Sequence, residues 1–130
     1  MVDAIIMKFD NTRFGSITID GKRYKHDVYL LKDGTLKKRD KSHSPRIKCH
    51  RSLSIWELEQ VLKDDPKVLL IGMGQSGVLP MSEETKTWLE EKKKKDGLKI
   101  IKANTPDILE KTNALLASEE KFAGIYHTTC

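Results

Sequence analysis

The stretch Lys67-Val-Leu-Leu-Ile-Gly72-Met-Gly74-Gln-Ser-Gly77 limits the possible folds more than any other part of the chain. A continuous apolar run such as Val68–Ile71 reads as a strand buried on both faces. Such strands belong to sheets covered by helices on both sides. The run leads into a G-x-G-x-x-G turn, the outline of a phosphate or dinucleotide cradle. Two departures speak against a dinucleotide. Val78-Leu79-Pro80-Met81 separates Gly77 from Ser82, the next helix cap, so the helix starts too late to aim its amides at a phosphate on Gly72 and Gly74. The following strand ends in Lys99, Lys102 and Asn104, where a ribose-binding acid would stand. A turn that lets one backbone cross closely over another fits these residues better. A smaller anion on the Gly72–Gln75 amides is the alternative.

The regions around this strand differ in character. Ala4–Phe9, Ser16–Asp20, Tyr24–Leu31 and Thr35–Arg39 read as strands, with Asp20-Gly21 and Asp33-Gly34 as tight turns, so residues 1–40 predict an antiparallel β meander. Residues 41–53 form a basic loop. Residues 54–130 then alternate as αβαβαβ. Ser54-Ile-Trp-Glu57 is a capping box before a helix that stops ahead of Pro66. Ser82 caps a second helix that Asp96-Gly97 ends. Leu98–Ile101 is a strand, Thr105-Pro106-Asp107 opens a third helix with Thr105 as its cap, and Phe122–Tyr126 is the last strand. Right-handed crossovers make that part mostly parallel. The prediction is an α/β fold: a single three-layer domain over residues 1–130, with a mixed central sheet, α-helices and the added meander. No linker and no internal repeat divides it.

The remaining composition narrows the function. A chain of 130 residues buries roughly two thirds of its unfolded surface and needs no disulfide or metal staple. No apolar run approaches the roughly 20 residues of a membrane span. Met1–Met7 carries an early acid and no basic segment, which points to the cytoplasm. Cys49 and Cys130 are expected to be free thiols, and with His26, His43, His50 and His127 they reach no zinc spacing. No metal and no cofactor is expected. The net charge of +5 is concentrated in Lys37, Lys38, Arg39, Lys41, Arg46, Lys48 and Arg51. Nucleic acid would want aromatics among them, and Lys37–Arg51 holds none, so a solvated basic loop is preferred.

Parallel strands would bring the Gly72–Gln75 turn, Asn104-Thr105 and the His127–Cys130 tail to one sheet edge, where open α/β sheets bind ligands. Gly72, Gly74, Gln75, Asn104, Thr105 and His127 are therefore the candidate pocket. His127 and Cys130 as base and thiolate are disfavoured, because positions i and i+3 of a strand face opposite ways. No serine sits in a nucleophile elbow. No residue is assigned as catalytic, and an enzyme is the less favoured reading.

Arg13-Phe-Gly15-Ser-Ile, Ile19-Asp-Gly21, Tyr24-Lys-His-Asp27-Val28, Ser42-His43-Ser44, Leu70-Ile-Gly-Met-Gly-Gln75, Asn104-Thr105-Pro106, Thr112-Asn113-Ala114 and His127-Thr-Thr-Cys130 occur in that order. The set resembles the adipogenesis-associated Mth-domain family and its relatives of the mitochondrial complex I assembly factor 3 group. The resemblance spans nearly the whole chain. It implies a three-layer α/β domain with a mixed central sheet and an added β layer. It also implies no established catalysis, and members that act by associating with other proteins. The expected function is a small binding or assembly module with a polar pocket at the glycine turn. The alternatives are an anion- or metabolite-binding enzyme or sensor using that pocket, with His127 or His43 as acid–base group, and then a weak nucleic-acid binder through the basic loop. The partner expected first is another protein, then a small anion.

Overall fold

The computed structural model describes residues 7–130. Its elements run β1 (Phe9–Arg13), β2 (Ser16–Ile19), β3 (Lys22–Tyr24), β4 (Val28–Leu30), β5 (Leu36–Lys38), β6 (Arg46–Ile47), β7 (His50–Arg51), α1 (Ile55–Val61), β8 (Val68–Gly72), α2 (Glu83–Asp96), β9 (Lys99–Ala103), α3 (Thr105–Leu116) and β10 (Phe122–Tyr126). A five-stranded sheet has the order β5-β4-β10-β8-β9. Its β10, β8 and β9 are parallel, and β4 and β5 complete it antiparallel. β1, β2 and β3 form a separate antiparallel sheet.

Side-chain alternation along the central strands builds two cores. Val68 and Leu70, Phe122 and Tyr126, and Val28 and Leu30 face one side. There Ile108 and Leu109 of α3 and Phe9, Ile17 and Ile19 of the small sheet cover them. Leu69, Ile71, Ala123, Ile125 and Tyr29 face the other side, under Leu58 and Val61 of α1 and Leu89 of α2. The result is the expected mixed α/β arrangement of three layers with an added β layer. Asn113 of α3 clamps the small sheet: its amide accepts from Phe9 N and donates to Phe9 O, both at 2.8 Å. No described helix is long and apolar enough to cross a membrane.

Several boundaries differ from the sequence reading. The strand expected over Ala4–Phe9 lies outside the described residues except at its end, and β1 begins at Phe9. The Tyr24–Leu31 strand is broken at Lys25–Asp27, and its halves belong to different sheets. The break exists because the Asp27 carboxylate is used elsewhere, by Arg39, His127 and Thr128. The meander is therefore three-stranded, and the β4–β5 hairpin joins the central sheet. The basic loop contains the small β6–β7 hairpin, turned by Lys48 and Cys49 at φ 49° and 70°. Ser54 and Glu57 form the expected capping box, and Ser82 caps α2. Thr105 does not cap α3. Asn104 stands at that position without a side-chain cap, and Thr105 is the first helical residue.

β10 is the central strand, and Gly124 on it pairs with Leu30 on one side and Leu70 on the other. Two residues on, the Tyr126 ring folds back over it, 4.8 Å from the ring of Phe9, with its hydroxyl 2.9 Å from Thr112 Oγ1. Burial pushes the Tyr126 hydroxyl pKa up, and the Thr112 hydrogen bond offsets only part of this. A Cβ at Gly124 would overlap the Tyr126 hydroxyl and ring. Gly124→Ala is expected to cost about 1–3 kcal/mol in urea unfolding. Gly124→Ala/Tyr126→Phe should cost less than the two single changes summed, because the hydroxyl, the nearest of the overlapping atoms, is gone while the ring overlap stays.

Candidate functional site

The three parallel strands end together, and the turn after β8 meets the turn after β9 and the tail after β10. The His127 amide donates to Gly72 O at 3.0 Å. The Thr105 hydroxyl donates to His127 O at 2.5 Å and accepts from Gly74 N at 2.9 Å. The Thr105 amide donates to Gly74 O at 2.9 Å. Thr105 is thus spent as a buried three-way joint, which is why it does not cap its own helix. Gly72, Gly74, Gln75, Asn104, Thr105 and His127 all lie at this edge; Asn104 is exposed and Thr105 and His127 are buried.

The turn amides are not free to hold a ligand. Gln75 N donates to Thr129 O at 2.7 Å, while Ser76 N and Val78 N donate to Cys130 O at 3.2 and 2.9 Å. Gly74 has φ +104°, and a Cβ there would collide with the backbone of Cys130. The glycine turn is therefore a place where two backbones cross, and the tail occupies the position an anion would take. The hairpin joining β1 and β2 closes over the same edge: Gly15 N donates to Thr128 O at 2.8 Å and Gln75 Nε2 to Thr12 Oγ1 at 3.0 Å.

Below this edge lies a buried ionic network that the sequence reading did not single out. Arg39 was counted in the basic patch, but it is buried, with 3% of its surface exposed. Its Nε and Nη2 donate to the two oxygens of Glu57 at 2.7 and 3.2 Å, Nη1 to Asp27 Oδ2 at 3.0 Å and Nη2 to Ser52 O at 3.0 Å. Glu57 also accepts from Tyr29 Oη at 2.7 Å, Ser44 Oγ at 2.6 Å and Ser54 N at 3.0 Å. Burial would raise the Glu57 pKa, but Arg39, Ser44 and Tyr29 together lower it. Burial pushes the Tyr29 hydroxyl pKa up, and Glu57 pushes it further. Among the described residues every buried side-chain nitrogen or oxygen has a partner.

Asp27 links this network to the tail. Its Oδ1 accepts from Thr128 N at 2.7 Å and Thr128 Oγ1 at 2.8 Å, and Oδ2 lies 2.7 Å from His127 Nδ1. Burial would raise the Asp27 pKa; His127, the Thr128 amide and Arg39 outweigh it and hold the carboxyl well below the usual range. An ionised carboxylate only accepts, so Nδ1 carries the hydrogen. In the neutral ring Nε2 then accepts from Thr129 Oγ1, 3.2 Å away. His127 thus orients the tail through its side chain as well as its backbone. The other members of the basic patch, Lys37, Lys38, Lys41, Arg46, Lys48 and Arg51, are exposed.

The chain matches, over residues 9–127, the family described as protein of unknown function DUF498/DUF598. It belongs to that family. A conserved hypothetical protein of Pyrococcus horikoshii is 31% identical, with 95% of this chain and 99% of that one aligned and a TM-score of 0.78. The protein MT938 is 25% identical over 95% and 99% of the two chains, with a TM-score of 0.74. An Mth938-like domain of Bordetella pertussis shares the fold at 15% identity, with 98% of this chain and 90% of that one aligned and a TM-score of 0.64. DUF498/DUF598 membership and Mth938-like neighbours agree with the Mth-domain resemblance at the level of the family.

Removing Arg39 would strand two buried carboxylates. Arg39→Met is expected to lose about 3–5 kcal/mol in urea unfolding at neutral pH. Asp27 and Glu57 have folded pKa values below the ordinary 3.8 and 4.5. Their contribution is therefore present above those values and is lost as pH falls through the lower folded ones. Stability should be flat near neutrality and fall below about pH 4.5. Asp27→Asn, although less stable at neutral pH, should show a shallower acid slope.

Proposed function

We propose that this member of the DUF498/DUF598 family is a binding and assembly module that associates with another protein and turns over no substrate. The observation that carries this reading is the closure of the glycine turn. Its amides at Gln75, Ser76 and Val78 are bonded to the backbone of Thr129 and Cys130. A ligand-binding use of the turn would have to displace a tail that is also held by Asp27, Thr105 and Gly15. Such a closed edge is suited to presenting a surface. Phe14 and Val78, the large apolar side chains exposed among the described residues at 67% and 41%, both adjoin it. Phe14 precedes Gly15, which bonds Thr128, and the Val78 amide bonds Cys130. Exposed apolar side chains grouped on a rigid edge are the usual anchors of protein association. The resemblance to the complex I assembly factor group agrees with an assembly role.

Affinity capture with the wild type and with Phe14→Ser/Val78→Ser tests this. The wild type should retain a defined protein that the double variant loses, at equal melting temperature. Titration with dinucleotides and sugar phosphates, followed by the backbone amide resonances of Gly74, Gln75 and Ser76, should leave those signals unmoved. Saturable shifts confined to these amides would overturn the proposal in favour of a small-anion site.

A further inference from the structure

A second surface lies along the lateral edge strand β5, where residues of β5 and α1 bound a cleft of about 240 Å³. Lys37 of β5, Lys63 beyond α1, and the rings of Tyr29 and Trp56 line it; Lys38 borders it through the strand, its side chain on the other face with Leu36 and Val28. Asp40 is the one acid in its lining, and its carboxylate is turned to the Ser42 amide and hydroxyl at 2.9 and 2.6 Å. Among the described residues neither Lys37 nor Lys63 is held in an ion pair.

The local sequence of the basic segment holds no aromatic residue, but the fold supplies one. Trp56 is half-buried, with its ring stacked on the imidazole of His43 at a centroid distance of 4.1 Å and an interplanar angle of 12°. His43 belongs to the loop that carries Lys41, Arg46 and Lys48, so the stack joins the cleft to further exposed cations. Lysines on an edge strand discourage strand pairing by themselves. That role requires neither Lys63 on the helix side nor an indole left in the cleft.

We propose that this cleft binds single-stranded nucleic acid, with one base against Trp56 and the neighbouring phosphates on Lys37 and Lys63. An indole platform beside ammonium groups suits a base followed by its phosphate and distinguishes no sequence. The cations continue past the cleft along Lys41, Arg46 and Lys48, which favours a strand over a single nucleotide. This surface is separate from the tail-closed edge, and the inference stands independently of the assembly role.

The test uses Trp88→Phe, which leaves Trp56 as the remaining one of the two tryptophans. Titration with an oligo(dT) strand about ten nucleotides long should quench its fluorescence. The logarithm of the affinity should fall against the logarithm of salt with a slope of about −1.4, the value for two phosphate contacts on a single strand. In the Trp88→Phe background Lys37→Glu/Lys63→Glu should weaken binding at unchanged melting temperature. Measured by anisotropy of a labelled strand, Trp56→Ala should weaken it roughly tenfold and Trp56→Phe should retain most of it. If Trp56→Ala proves unstable, the lysine variant and the Phe variant decide. Absence of quenching, salt-insensitive binding, binding unchanged in Lys37→Glu/Lys63→Glu, or dTMP binding as tightly as the strand would each overturn the proposal.

Discussion

The bidentate pair between Arg39 and Glu57, extended to Asp27, is the interaction on which the arrangement of the layers depends. Three charges taken out of water are costly unless each hydrogen-bonding position is filled. Here the guanidinium donates to two carboxylates and a carbonyl, and both carboxylates receive further donors from Tyr29, Ser44, Ser54, His127 and Thr128. Those donors come from four separate parts of the chain: β4, the basic loop, the cap of α1 and the tail. The network therefore fixes four things at once: the end of β5, the cap of α1, the passage from β3 to β4 and the path of the tail. An apolar cluster of similar volume would bury comparable surface without specifying those directions. Asp27 holds Thr128, and the glycine turn bonds the next two residues, Thr129 and Cys130.

Much of the fold was legible because it rests on local chemistry. The run Val68–Ile71, the Ser54–Glu57 box, the Ser82 cap and the Asp20-Gly21 turn each act within a few residues, and the structure holds each of them close to its expected place. The failures have a common physical source. Tyr24–Leu31 alternates as one strand should, but the partner that ends the alternation at Asp27 lies about a hundred residues away. Arg39 sits in a basic run and looks solvated until Glu57, capping its own helix, is seen to face it. Thr105 has every local mark of an N-cap, yet its hydroxyl is claimed by Gly74 and His127. Side chains with two available roles are assigned by tertiary context, which local pattern does not contain.

The candidate edge was found for the right topological reason and its occupant was not. Parallel strands must bring Gly72–Gln75, Asn104-Thr105 and His127 together, and they do. A G-x-G-x-x-G turn offers the same amides to a phosphate and to a passing carbonyl, so sequence alone does not distinguish the two. The late start of α2 at Glu83 was the useful clue, since it removes the helix dipole from the turn. The basic segment shows the reverse case. Its lack of a local aromatic residue argued against a stacking surface, whereas the fold places Trp56 of α1 against His43.

The position of β10 has a consequence for how the protein is made. It is the last of the described elements in the chain, yet it lies between β4 and β8 at the middle of the sheet. On a ribosome, residues emerge at roughly 5–20 per second, beginning with the N-terminal strands. Until Phe122–Tyr126 leaves the exit tunnel, the β4–β5 hairpin and the β8–β9 pair have no strand to join them, and Leu30 and Leu70 face an empty lane. Synthesis therefore passes through a stage in which most of the hydrophobic core exists but two sheet edges are open. A nascent chain stalled before residue 122 would expose two edges suited to wrong pairing or to capture by a chaperone.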